Sequence, residues 1–306
     1  MTLPLPLPSG SSNTAAIRAN WLGRYLGVEK KMDKALYSAL VDATQGIDEA
    51  FNALTKKAAK TAGTRRLQLS LASKQIRAQM SALYGDVTDV ISTYHSQAAV
   101  AAVDATLADE KHILSKLFTT KRDQTEYAKS LRASAQRNIE SVMTRVLDTQ
   151  QPLSKRVYNT KSLSQGLVDR AVNRALARGD SFEQLAKSVH HLINPATPGG
   201  VSYAARRLAR TEINNAFHAQ SIHEAQSVPW VNQMRWNLSK VHRDDPGDAC
   251  EDYARQSLFA VERIPDKPHP QCRCFVTPEP VSDTVFDHAV TSGQYDSYLD
   301  DFINSG

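Results

Sequence analysis

The stretch Trp236-Asn-Leu-Ser-Lys-Val-His242-Arg-Asp-Asp-Pro-Gly-Asp248-Ala-Cys250, followed after a linker by His269-Pro-Gln-Cys272-Arg-Cys274, decides how the C-terminal part of this sequence is read. All three cysteines of the 306 residues fall within 25 consecutive positions, beside two histidines and several carboxylates. Thiolate and imidazole donors gathered in this way suit a tetrahedral zinc ion. His269 and Cys272 stand three apart around Pro270, a turn-like spacing, and Cys250 comes from an earlier segment to close the loop. Cys272 and Cys274 are two apart, so in an extended strand they share a face with their sulfurs too far apart for one ion. Both can bind only where the backbone bends. The candidate ligands are therefore Cys250, His269, Cys272 and Cys274, with His242 and Asp248 as alternatives, and structural zinc is the expected cofactor. The competing reading is three small buried thiols, or one disulfide and a leftover thiol; no Cys-x-x-Cys pair decides between them.

Just upstream, Val231, Gln233, Arg235 and Asn237 alternate with Met234, Trp236 and Leu238, which predicts a half-buried strand over 231–238. A second short strand over Cys272 to Thr277 is expected to pair with it. Before Pro229 runs a strongly patterned helix from Tyr203, on which Leu208, Thr211, Asn215 and His218 share a face with Glu212 close by. A polar stripe on a core-like helix fixes a neighbouring segment by hydrogen bonds more often than it builds an active site. Arg210 and Glu212 are two apart and do not face each other, so each needs a partner elsewhere. Arg210, Thr211, Glu212 and Trp236 are accordingly expected to be structural. The C-terminal module is thus α+β, a small sheet fed by helices and stapled by the Cys/His cluster.

The first half of the chain is helical by periodicity. Met32, Leu36, Leu40, Ala43, Ile47, Phe51 and Leu54 recur at steps of three and four, one face of a long amphipathic helix. Ile76, Met80, Leu83, Val87, Ile91, Tyr94 and Ala98 mark a second, running on toward Phe118. Tyr127, Leu131, Ala135, Ile139, Val142 and Val146 mark a third. Long helices with short connections predict a bundle or hairpin. The pattern lapses around Thr149 to Ser164, near Gln150-Gln151-Pro152, and resumes at Leu167. Ser181 and Gln184 fit a capping box opening a helix over Phe182 to Ile193. His190 and His191, adjacent on that helix, project apart and cannot share a metal. The fold class expected is mainly α with a small C-terminal α+β domain. Its expected segments are a proline-rich arm at 1–12, a long-helix domain at 13–150, a helical connector at 151–200, the cluster-bearing domain at 201–280 and an acidic tail at 281–306.

Six acidic residues and no Lys or Arg lie from Glu279 onward, so the formal +5 of the whole chain becomes about +11 over positions 1–278. Such asymmetry fits a polyanionic partner for the body, or an ordinary lysine-rich surface. Lys56, Lys57, Lys60, Arg65 and Arg66 form an acid-free basic stretch and are the candidate DNA contacts. No apolar run reaches the length that spans a bilayer, so no membrane partner is expected. The start lacks a basic region, and its alternating prolines break a signal-peptide helix. Clustered, odd-numbered cysteines argue against a secreted disulfide scaffold and for a reducing cytoplasm.

The order Arg210-Thr211-Glu212, Trp236-x-Leu-Ser239, His242, Asp248-x-Cys250 and His269-Pro-x-Cys272-Arg-Cys274 resembles the phage head-morphogenesis family, minor head proteins similar to the F protein of phage Mu. The match covers residues 165–280, about a third of the chain. Many members carry Cys-x-x-Cys where this chain has Cys250-Glu-Asp-Tyr253, so a four-cysteine site does not carry over. Some relatives end in an appended toxin or transferase domain, and the roughly 30 residues after Cys274 are too few for one. The resemblance implies a virion component inside the head near the portal, assembled in the host cytoplasm. It would act structurally in head assembly and in DNA packaging or delivery. Its partners would be the portal protein, then scaffold or major capsid protein, and packaged DNA bound non-specifically. The proline arm and the tail aromatics Phe286, Tyr295, Tyr298 and Phe302 are candidate docking segments.

Two other readings remain. A zinc-dependent hydrolase needs an open coordination position and a base, for which Glu251, Asp252 or Glu212 can be nominated. The sequence carries no His-Glu-x-x-His, no Gly-x-Ser-x-Gly and no phosphate-loop glycines, so the chain is expected not to be an enzyme. A zinc-ribbon DNA-binding protein would bind with steep salt dependence through the basic stretch.

Overall fold

A computed structural model describes residues 14–55, 62–147, 151–178, 180–239 and 247–305. The architecture is mainly α with a small antiparallel sheet near the C-terminus and a Cys/His cluster beside it. Lys56, Lys57, Lys60 and His242 lie outside the described residues, and of Arg65 and Arg66 only the helical backbone is described. No helix among the described residues is long and apolar enough to cross a membrane.

The chain divides into two compact units, neither continuous in sequence. One gathers Glu29–Tyr94 and Gln151–Glu212. It takes most of α1 (Thr14–Thr55) and the first two thirds of α2 (Ala62–Asp109). It also holds α5 (Leu153–Arg178), α6 (Phe182–Ile193) and the start of α7 (Gly200–Ser227). The apolar stripe read from the sequence is its core: Met32, Leu36, Leu40, Ile47 and Phe51 on α1, and Ile76, Met80, Leu83, Val87 and Ile91 on α2, are all buried. Each such side chain contributes about 1.5–3 kcal/mol by leaving water.

Helix α5 starts immediately after Pro152, so residues 153–164, where the apolar pattern lapses, are helical. The reason is a polar residue on the buried face. Ser164 is fully enclosed and its hydroxyl lies 2.6 Å from that of Tyr84 on α2, which a hydrophobic count cannot register. Helix α6 opens with the expected capping box, Gln184 N donating to Ser181 Oγ at 3.2 Å and Ser181 N to Gln184 Oε1 at 2.6 Å. Gly200 holds φ at +66°, where a Cβ would strike the Leu192 carbonyl; only glycine enters α7 this way.

The second unit comprises the described parts of Met1–Val28, His95–Gln150 and Ile213–Gly306. It includes α3 (Lys111–Leu117), α4 (Lys121–Val146), the rest of α7, and a three-stranded antiparallel sheet. The sheet has β1 (Val231–Asn237) central, with β2 (Leu258–Ala260) and β3 (Phe275–Pro280) on either side. Between β1 and β2 lies α8 (Ala249–Gln256); after β3 come α9 (Asp283–Thr291) and α10 (Asp296–Ser305). Pro278 and Pro280 sit in β3, a sheet-edge position where a missing N–H costs no ladder bond.

Of the four tail aromatics the side chain of Phe302 lies outside the described residues, and the other three do not stand out as free docking groups. Phe286 and Tyr295 are buried, and both pack edge-on against Trp230 with ring centroids 6.1 and 5.8 Å away. Tyr298 lies 5.3 Å from the same ring and pairs its hydroxyl with Tyr127 at 2.9 Å. The acidic residues that define the tail by composition are mostly exposed, whereas Phe286, Tyr295 and Tyr298 face inward.

Candidate metal centre

Three short pieces of chain bring the donors together. Asp248 caps α8: its Oδ1 accepts the Cys250 N–H at 3.0 Å, which places Cys250 in the first helical turn. Positive φ at Gln271 (61°) and a bond from Cys272 N to the His269 carbonyl (3.3 Å) form a tight turn ahead of Cys272. Strand β3 begins only at Phe275, not at Cys272. Both Cys272 and Cys274 thus precede the regular strand, and the bend required for their sulfurs to converge is present.

The three sulfurs are buried, with none in a disulfide. Cys250 Sγ lies 3.4 Å from Cys272 Sγ and 3.6 Å from His269 Nε2. With Zn–S near 2.3 Å and Zn–N near 2.0–2.1 Å, a tetrahedral ion sets S···N at roughly 3.6 Å and S···S at roughly 3.8 Å. The observed spacings fit such an ion, and Cys250, Cys272, Cys274 and His269 can hold a metal. Asp248 belongs to the same neighbourhood, with Oδ2 3.3 Å from His269 Nε2.

The thiols are not equivalent. Hydrogen bonds from Cys250 and then Cys274 draw Cys272 far below the ordinary thiol range, with the Lys267 charge adding to them against the opposing effect of burial. Cys250 is held up, first by its bond to Cys272, then by that to Cys274 and by burial. At Cys274 a bond with Cys250 lowers the value, but the bond with Cys272 and burial prevail and leave it at about 11. The lowering at Cys272 favours the thiolate, the form that binds a metal. Lys267 Nζ donates to the Cys274 carbonyl and sits 5.3 Å over the Trp236 ring, with desolvation lowering its pKa.

Trp236 is the wall behind the cluster. It is 2% exposed and meets His218 and Tyr253 edge-on at 5.7 and 5.0 Å. His218 donates through Nε2–H to the Pro265 carbonyl (3.1 Å), so α7 fixes the linker ahead of the ligands, as the polar stripe predicts. Burial depresses His218 to about 3. Sequence reasoning did not single out Lys267, whose only signal was proximity to His269.

Arg210 and Glu212 each find the distant partner their spacing requires, both within the first unit. Arg210 makes a two-pronged pair with Asp33 (3.0 and 2.7 Å), with Glu29 at 3.8 Å. Glu212, 1% exposed, is gripped by Arg156 through Nε at 2.7 Å and through Nη2. Thr211 returns its hydroxyl to the Arg207 carbonyl at 2.7 Å.

Compared with known proteins, the chain matches no family, no curated protein and no solved structure.

Proposed function

We propose that this chain is a minor head protein of a bacteriophage, a structural part whose C-terminal module is closed by a zinc staple. The observation that carries the reading is the meeting of Asp248-x-Cys250 with His269-Pro-x-Cys272-Arg-Cys274, the motifs on which the family resemblance rests, at one buried point. Arg210, Glu212 and Trp236 of the same resemblance are all engaged in packing or ion pairs. Buried donors of this kind suit a cross-link that contributes folding energy, and the role proposed is assembly without turnover. The protein sits inside the head beside the portal, with the portal protein as first partner and packaged DNA as a non-specific neighbour.

The test is co-expression with the portal protein encoded in the same genome, followed by purification of the complex and of mature heads. The expected result is a stable complex and presence of the chain in heads, both lost in Cys272→Ser. A chain absent from heads and indifferent to the portal protein would overturn the proposal.

A further inference from the structure

The donors near Cys250 are more than one ion needs, and their grouping is informative. Within 4.8 Å of one another they form two triads, Cys250 with Cys272 and Cys274, and Asp248 with Cys250 and His269. A single tetrahedral ion would draw all its donors to roughly 3.3–3.8 Å of each other. Here the two triads share one atom, the Cys250 sulfur.

The second triad has its own chemical demand for a cation. His269 Nδ1 lies 3.1 Å from the Pro270 carbonyl, an acceptor, so in the neutral ring Nδ1 carries the hydrogen. Nε2 then presents a lone pair, and it does so to Asp248 Oδ2 at 3.3 Å and Cys250 Sγ at 3.6 Å. Asp248 is 7% exposed, and its Oδ2 is buried with no hydrogen-bond partner among the described residues, because Oδ1 alone caps α8. Three donor atoms of metal-ligating type thus converge on one point, the arrangement a shared cation takes. The 3.3 Å between oxygen and nitrogen is also about the edge of a tetrahedron with bonds near 2.0 Å.

The geometry points to a centre of two divalent ions bridged by the Cys250 thiolate, one held by Cys250, Cys272 and Cys274 and the other by Asp248, Cys250 and His269. This inference rests on the metal-staple reading above and extends it. Asp248 is then both helix cap and ligand, one oxygen for each task. The ions fit zinc's class, since the shared donor is a thiolate and the rest are imidazole and carboxylate. Each ion keeps one position not supplied by these side chains.

The measurement is zinc per chain. Full-length protein is loaded with zinc, passed into chelator-free buffer and analysed for metal against protein. Two zinc ions per chain are expected for the wild type and one for Asp248→Asn, whose amide keeps the helix cap. A cobalt titration of the wild type checks the same count without a variant, its thiolate charge-transfer band growing through two equivalents. One ion per chain in the wild type overturns the bridged centre and leaves the staple standing. None overturns both. Two in the wild type and still two in Asp248→Asn overturns the assignment of Asp248.

Discussion

In one compact unit, helices of dozens of residues carry continuous apolar stripes and are tied by paired charges, Arg156 to Glu212 and Arg210 to Asp33. In the other, strands of three, seven and six residues make up the whole sheet; α7 leads into it, and the segments between and after its strands are loops and helices of eight to ten residues. The first has enough repeated burial to hold itself. A sheet this small is marginal in water unless something else fixes its ends. A metal held by the ligand cluster, as proposed, would supply that at the loop between α8 and β3, and the aromatic set around Trp230 supplies it on the side of α9 and α10. Stability in the two units therefore depends on different chemistry, and the difference can be attacked.

The largest effect is expected from removing a metal from the proposed centre. Structural zinc contributes on the order of 10 kcal/mol in small modules. Chelation, or Cys272→Ser, should therefore abolish the near-ultraviolet dichroism of Trp230 and Trp236 and expose the amides of β1 to hydrogen exchange. Protection in α5 should persist. Equal loss of protection in α5 would break the contrast drawn here.

The reverse experiment targets the paired charges. Glu212→Gln strands Arg156 without its buried partner and should cost about 3–5 kcal/mol in urea unfolding. Its protection loss should centre on α5 and the start of α7, with zinc content unchanged. Replacing both partners by apolar residues should recover most of the loss, because the desolvation of both ions disappears together.

A smaller effect separates the units by pH. Burial pushes Glu110 up to about 8 and Glu224 up to about 7; Glu110 receives only the Trp230 N–H at 3.2 Å, and Glu224 the Gln220 amide at 2.5 Å. Folded-state values above the unfolded ones mean that their contribution is complete below about 4.5 and is lost as pH rises toward 7 and 8. His218 works in the opposite sense: held neutral down to about 3, it contributes above its ordinary 6.5 and loses that contribution as pH falls. Two carboxyls losing their contribution outweigh one imidazole gaining its own above about 4.5, so on these three groups the sheet-bearing unit should be most stable at acid pH, near 4.5 to 5, and weaken toward 8. Glu110→Gln should flatten the alkaline arm by about 1.4 kcal/mol for each pKa unit removed, read from urea midpoints between pH 6 and 9. An unchanged alkaline slope would show that Glu110 ionises freely.

The smallest effect belongs to a helix end. Ser181→Ala removes one half of the capping box of α6 and should cost about 1 kcal/mol, seen as a shifted urea midpoint with no change in metal content or pH profile.

Local periodicity carried much of the fold. The burial of Met32 through Phe51 and of Ile76 through Ile91, the capped start of α6 and the extent of β1 to within a residue all follow from spacing, since helix and strand geometry is set by neighbours in sequence. That the cysteines and His269 gather into one cluster able to hold a metal was legible too, because cysteine and histidine have few uses in such company. Spacing did not extend to Ser164, whose polar side chain breaks an apolar count while its hydroxyl meets Tyr84 across 80 positions.

Other facts depended on where distant segments come to rest. Arg156 as the partner of Glu212 and Asp33 as the partner of Arg210 are separated from them by 56 and 177 positions. Phe286, Tyr295 and Tyr298 turn inward because Trp230 offers them a surface that no local pattern announces. The sequence by itself determined which residues could ligate a metal and which faces had to be buried, because both are properties of side chains and short-range geometry. Only the tertiary structure decided that Cys250 stands between two sets of donors, because the distance from its sulfur to the others is set by the turn at Gln271 and the cap at Asp248 acting together.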